Sequence, residues 1–262
     1  MNKRFFSFGC SFTRWCWPTW NDYIGLNFDE YHSCGMAGSD NKHILYTLLE
    51  VDKKYKLTKD DTIMIMFSSF NRMSYVDKDF SIHNIGDLVD DNLKLHPIGK
   101  EYNFPTAIYD SCIAIQSIKS ILESKNIKYT FLQSMKHNFY YDDFEVSGDS
   151  DIVQNLDYCL NLFKYPIMEN WCYENYDFMK EKVIWKDNHA QDGHPTMKHH
   201  FDFVKEFFPQ YITDKTNQYC NKHLNVFTDK SQDIQGKNYE ILNEKYFEEN
   251  NVTFVKDNYV SL

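Results

Sequence analysis

The sequence predicts an α/β fold of three layers, helix, sheet and helix, and two observations carry that reading. The first is TIMIMF, residues 62–67, introduced by Asp60 and Asp61 and apolar on both faces, as a central parallel strand covered by helices on either side must be. The second is alternation: short apolar runs at residues 3–8, 28–34, 62–67 and 128–132 are separated by stretches whose apolar residues recur at helical spacing.

Each element has its own signal. Phe5, Phe6 and Phe8 end a first strand, and Gly9 then permits a tight turn. Residues 11–25 hold Ser11 and the Trp-rich segment Trp15, Trp17 and Trp20, where Pro18 forbids a long helix. FDEYHSC, residues 28–34, reads as a weak second strand. The turn GMAGSDN, residues 35–41, opens a helix at 41–55 with Ile44, Leu45, Leu48 and Leu49 at helical spacing and Ser39 or Asp40 as N-cap. After TIMIMF come Ser68, Ser69, Phe70, Asn71 and Arg72. Residues 73–104 read as an insertion with a short helix near 86–94. A helix at 105–124 follows, its inward stripe formed by Ile108, Cys112, Ile115, Ile118 and Leu122, and KYTFL is the next strand. A second insertion spans 134–185, with DIVQNLDYCLNLF helical and VIW, residues 183–185, as a last strand. Pro195 begins a helix at 196–209 carrying Phe201, Val204, Phe207 and Phe208. Residues 1–212 thus form one domain with insertions, and residues 213–262 a polar extension or small subdomain.

Bulk properties narrow the function. A net charge of −10 and the lack of any Lys/Arg cluster disfavour nucleic acid and anionic membrane surfaces as partners. Seven cysteines, an odd number without CxxC spacing, argue against a disulfide scaffold and a structural zinc site, and fit reduced thiols in a chain that is cytoplasmic as synthesised. The run FFSFGC is too short for a signal peptide.

Four polar stretches fall at the carboxyl ends of strands, where open α/β sheets bind ligands. FSFGCSFT, residues 6–13, places Ser11 on a sharp strand-to-helix turn, the position of a serine nucleophile. The second stretch is Gly38-Ser39-Asp40-Asn41, and the third is Ser69-Phe70-Asn71-Arg72. In the fourth, Asp192-Gly193-His194-Pro195, a histidine stands at a loop-to-helix junction with a carboxylate two residues before it, half of a hydrolytic triad. The rival reading of His189, Asp192, His194, His199 and His200 as a metal site lacks HExxH spacing, and the adjacent His199 and His200 cannot share a helix face; otherwise these are surface histidines around a capping turn. The tryptophans either pack in the core or stack on a sugar or acyl group.

This ordered set, over residues 4–210, resembles the SGNH hydrolases, also called GDSL esterases/lipases, and most the phage and bacterial branch with GCSFT at its first motif. The resemblance implies a mostly parallel, flavodoxin-like sheet and a serine esterase. Its nucleophile would be Ser11, its base His194 and its orienting acid Asp192. The oxyanion hole would comprise the Ser11 and Gly38 N–H groups and the Asn71 amide. Trp15, Trp17 and Arg72 would contact substrate, an acylated small molecule or carbohydrate, with no metal and no organic cofactor. Cys10 stands where many members have Asp, Ser69 where they have Gly, and Arg72 where they have Asp. The charged Arg72 fork would neutralise Asp40 or Asp192 or bind an acidic group of the substrate. The alternative is a non-catalytic member of the fold, such as a phage virion or assembly component engaging protein partners through its C-terminal extension.

Overall fold

The computed structural model describes residues 3–70, 72–76, 82–87, 104–135, 151–177, 193–228 and 237–256. Five strands form one parallel sheet: β1 (Arg4–Gly9), β2 (Glu30–Gly35), β3 (Thr62–Phe67), β6 (Lys128–Gln133) and β7 (Thr253–Lys256), in the order β6-β3-β1-β2-β7. β3 pairs with both β1 and β6 and is central, as its two apolar faces require.

Alternation along the strands divides the core into two layers. Phe5, Tyr31, Met64, Met66 and Leu132 face α1 (Trp20–Gly25), α5 (Met168–Asn175), α6 (Met197–Phe207), α7 (Asp214–Thr228) and α8 (Lys237–Glu249). Phe6, Phe8, Ile63, Ile65, Phe67 and Phe131 face α2 (Asn41–Tyr55), α3 (Phe104–Ser124) and α4 (Asp151–Leu160). The molecule is therefore an α/β/α sandwich. The stripe read for α3 is buried at all five positions. In α2 the inward row is Ile44, Leu48 and Val51, an i, i+4, i+7 series, while Leu49 lies a quarter-turn away and is 43% exposed.

Several expectations are corrected. Residues 72–76 and 82–87 form an antiparallel hairpin, β4 (Arg72–Val76) and β5 (Ile82–Asp87), so the short helix placed near 86–94 does not begin at 86; residues 88–94 lie outside the described set, as does VIW at 183–185. Pro195 precedes the helix it was expected to open: Thr196 is the N-cap of α6, and its hydroxyl accepts from the His199 N–H. Helices α4 and α5, read within an insertion, pack against opposite faces of the sheet.

The C-terminal segment joins the sheet instead of standing apart. β7 pairs in parallel with β2, and Tyr219, Cys220, Tyr246 and Phe247 enter the core. A buried polar network locks it in place. The Asn21 amide donates to Ser7 Oγ at 2.9 Å and to the Tyr31 hydroxyl; Tyr31 donates to Asp22 Oδ1 at 3.1 Å; Asn243 Nδ2 reaches the same oxygen at 3.5 Å, and the Tyr219 hydroxyl donates to Asn243. Removing one member strands the others in a medium where an unmet polar group is costly. Among the described residues no helix is long and apolar enough to cross a membrane.

One buried histidine makes the fold acid-sensitive. Burial pushes the His223 imidazole down to about 4 from 6.5, offset in part by its hydrogen bond to the Tyr219 carbonyl at 2.9 Å. Below pH 6.5 the unfolded chain therefore binds a proton that the folded chain refuses until about pH 4. The stability this site holds above pH 6.5 is lost progressively as pH falls through that window, by about 3 kcal/mol in full. Urea unfolding at pH 7, 5 and 4 is expected to show this decline, smaller in His223→Gln; parallel pH curves for the two proteins would contradict it.

Candidate active site

β1 ends at Gly9, which pairs with Met66 of β3. A Cβ at Gly9 would lie 2.0 Å from Thr13 Oγ1 and 2.7 Å from the Met66 carbonyl oxygen, so only glycine fits. The chain then closes a single helical turn, with Thr13 N–H and Arg14 N–H donating to the Cys10 carbonyl at 2.9 and 3.2 Å. Ser11 occupies the first position of that turn, where a backbone N–H has no partner within the turn; among the described residues nothing accepts from it. The Ser11 side chain is buried, with 3% of the residue exposed, and its Oγ lies 2.8 Å from His194 Nε2. With the ring proton on Nδ1, the serine hydroxyl donates to Nε2, the geometry of a nucleophile and its general base.

The loop bearing His194 is fastened by the segment that follows Ser11 and by α1, on the same face of the sheet. Trp17 Nε1 donates to the Pro195 carbonyl at 2.9 Å, and the Tyr23 hydroxyl donates to the Met197 carbonyl at 3.1 Å. The Trp15 ring stacks on the imidazole at 3.7 Å between centroids and 23° between planes, and Phe12 lies against it at 5.7 Å. These contacts change the roles expected of the tryptophans. Trp17 is 2% exposed, and with its indole N–H on the Pro195 carbonyl it serves as core and clamp. Trp15 is half-buried and has given one face to His194.

The Gly38 loop hangs from β1. Met36 N–H and Ser39 Oγ both donate to the Gly9 carbonyl, at 2.9 and 3.2 Å, and Gly38 has φ 79°, a conformation glycine takes at little cost. The Gly38 N–H, like that of Ser11, is bonded to no acceptor among the described residues. Asp40 is the N-cap: its carboxylate accepts from His43 N–H at 2.7 Å and from Ser74 N–H at 2.6 Å, joining the second polar stretch to the β4 hairpin. Asn41 binds the backbone of Ser68 in both directions, Nδ2 to the carbonyl at 3.3 Å and the Ser68 N–H to Oδ1 at 2.8 Å. From sequence, Ser39 reads only as a candidate N-cap and Asn41 only as part of the second polar stretch, because a run of small polar residues at a helix start reads equally as an ordinary cap.

Asn71 and Asp192, the expected oxyanion donor and orienting acid, lie outside the described residues. Arg72 is not paired with Asp40, whose two oxygens are committed to His43 and Ser74. Its described bond runs from Nη2 to Met135 Sδ at 3.2 Å. His199 and His200, read as surface residues, are fully buried. His200 lies edge-on to Phe12 at 6.5 Å, and burial, with His199 and His194 nearby, drives its pKa well below 6.5 and keeps it neutral. Among the described residues no group of three or more His, Cys, Asp or Glu side chains is arranged to hold a metal ion.

The sheet and the site together define a class: a doubly wound α/β sandwich with a serine–histidine pair at the carboxyl end of its central strands. No family model and no curated sequence matches the chain. Several solved structures are similar to it. A candidate acylhydrolase from Bacteroides fragilis shares 15% identity at TM-score 0.38, over 83% of this chain and 88% of that one. Axe2, an acetylxylan esterase from Geobacillus stearothermophilus, shares 13% identity at TM-score 0.42, over 81% and 95%. A catalytic mutant of Axe2 shares 14% at TM-score 0.43, over 80% and 94%. At such scores the likenesses carry no functional argument, which rests on the geometry above.

Proposed function

We propose that the chain is a serine ester hydrolase of the SGNH type that removes acyl groups from carbohydrate or small-molecule esters. The observation that carries this reading is the 2.8 Å contact between Ser11 Oγ and His194 Nε2, formed between residues 183 positions apart. Ser11 attacks the ester carbonyl carbon while Nε2 takes the hydroxyl proton. The tetrahedral oxyanion is held by the N–H groups of Ser11 and Gly38, with the Asn71 amide as third donor. His194 then protonates the departing alcohol. A water, deprotonated by the same nitrogen, attacks the acyl-serine and releases the carboxylic acid. Asp192 serves as the group that fixes the imidazole tautomer. Support for the hole comes from two backbone N–H groups that bond no acceptor among the described residues, one on the turn that follows Gly9 and one at a positive φ in the loop that hangs from the Gly9 carbonyl.

A fluorophosphonate probe tests the reading directly. The expected outcome is covalent labelling at Ser11 alone, mapped by peptide mass spectrometry, with labelling lost in Ser11→Ala and slowed in His194→Ala. A chain that resists the probe and releases no acetate from 4-nitrophenyl acetate or acetylated xylo-oligosaccharides would exclude the hydrolase and leave a non-catalytic use of the fold.

A further inference from the structure

The chain has three arginines, and two of them have oxygen partners. Arg4 grips Asp61 with two parallel bonds, Nε to Oδ1 at 2.7 Å and Nη2 to Oδ2 at 2.8 Å. Arg14 reaches the Gly35 carbonyl at 3.5 Å. Arg72 differs. Its Nε and Nη1 are buried and, among the described residues, bonded to no acceptor, and Nη2 rests on a thioether, a weak acceptor. A guanidinium does not shed its proton at any ordinary pH, so this charge cannot escape the cost of burial by neutralising itself. Arg4 is met by a carboxylate, whereas no oxygen among the described residues meets the Arg72 side chain.

The place of this charge is informative. Arg72 N–H donates to the Ser69 carbonyl at 3.4 Å, just past the end of β3. Its partner Met135 lies just past the end of β6, and the neighbouring Ser134 hydroxyl is 3.6 Å from the Cys10 thiol, beside the nucleophile. Arg72 therefore sits at the same carboxyl edge of the sheet as Ser11, on the adjacent strand end. The residue as a whole keeps partial exposure, but Nε and Nη1 are covered, so a ligand would reach the guanidinium by displacing Met135 from Nη2.

We propose that Arg72 anchors a carboxylate-binding subsite, and that the substrate is an ester bearing a carboxylate on its acyl or its alcohol part. This rests on the esterase reading above. A carboxylate displaces the thioether and takes two parallel N–H bonds from one edge of the guanidinium, the geometry Asp61 makes with Arg4. A single guanidinium suits one negative charge better than a phosphate dianion. With a net charge of −10 the protein does not draw anions from a distance, so the preference must come from this short-range contact.

Matched ester pairs test it. For the acyl side, 4-nitrophenyl acetate is compared with mono-4-nitrophenyl glutarate; for the alcohol side, acetylated methyl galactoside with acetylated galacturonic acid. The expected result is a kcat/KM about tenfold or more higher for the anion in one pair, the range of a charged hydrogen bond. That ratio should fall about tenfold in Arg72→Met and be partly kept in Arg72→Lys. Which pair shows the preference identifies which part of the substrate carries the charge. In parallel, calorimetric titration of glutarate and galacturonate into Ser11→Ala should detect binding that Ser11→Ala/Arg72→Met loses. The melting temperature of Arg72→Met should equal or exceed that of the unaltered chain, since an unpaired charge is removed; a lower one would mark Arg72 as a structural ion and overturn the subsite. Neutral esters turned over with no preference in either pair, or a ratio unchanged in Arg72→Met, would overturn it while leaving the esterase reading intact. If no ester is hydrolysed, the esterase reading fails, and the titration alone decides whether Arg72 binds carboxylates.

Discussion

Ser11→Ala is expected to lower turnover of an activated acetyl ester by about 10⁴- to 10⁶-fold, the range found when the nucleophile of such a unit is removed. The physical reason is that the substitution removes the hydroxyl proposed to form the acyl-enzyme, while leaving the turn, the N–H donors and His194 in place. His194→Ala should cost a comparable factor, because a neutral serine hydroxyl 2.8 Å from a vacant site is a poor nucleophile at neutral pH. The double variant should be little worse than either single one, since the two groups act as a unit. Steady-state assays of the three variants, with circular dichroism to confirm folding, give the result. A loss below about tenfold in Ser11→Ala would show that ester cleavage occurs elsewhere on the chain.

Gly9→Ala is expected to produce the largest loss of stability among single methyl additions. The new Cβ would fall 2.0 Å from Thr13 Oγ1 and 2.9 Å from Thr13 Cβ. Thr13 cannot swing away freely, because its hydroxyl bonds the Phe8 carbonyl and its N–H closes the Ser11 turn. The third neighbour, the Met66 carbonyl at 2.7 Å, is backbone of the central strand and cannot yield without parting β1 from β3. The backbone φ of 157° adds strain for any residue with a side chain. Overpacking and strain together are worth about 3–5 kcal/mol, which lowers the melting temperature by about 10 °C in a chain of this size. The Gly38 loop hangs from the Gly9 carbonyl, so esterase activity should fall further than stability alone explains. Gly193→Ala is the control: no atom lies within 4 Å of its added Cβ, and its melting temperature should be unchanged. A Gly9→Ala protein melting within about 2 °C of the original would refute the account.

The strands that could be read from sequence were those whose burial leaves a strong local mark. TIMIMF is apolar at every position because helices cover both faces of β3. Helix α3 showed its inward stripe because one face alone is buried over 21 residues. β7 escaped because TFVK is short and lies at the sheet edge, so its residues keep partial exposure and no apolar run is needed. The helices leading to it carry polar outer faces, and a sequence of mostly charged residues with isolated apolar ones looks like a solvated arm until those few side chains are seen to converge on Tyr31 and Tyr23. The β4–β5 hairpin lacks a two-residue turn signature and was likewise missed.

Ser11 and His194 were identifiable singly because each stands at a junction that local chemistry marks, glycine before one and a Gly-His-Pro turn around the other. Local sequence thus determined the parallel α/β plan and marked the two groups proposed to react, since periodicity, turns and caps are set by neighbours a few residues apart. What surrounds those groups was decided only in three dimensions. Trp15 lies on His194, Trp17 holds Pro195, Asp40 binds Ser74 instead of Arg72, and Arg72 meets no carboxylate among the described residues. Each of these depends on which strand ends the sheet order brings side by side, and that order follows from the summed burial of two faces, which no short stretch of chain encodes by itself.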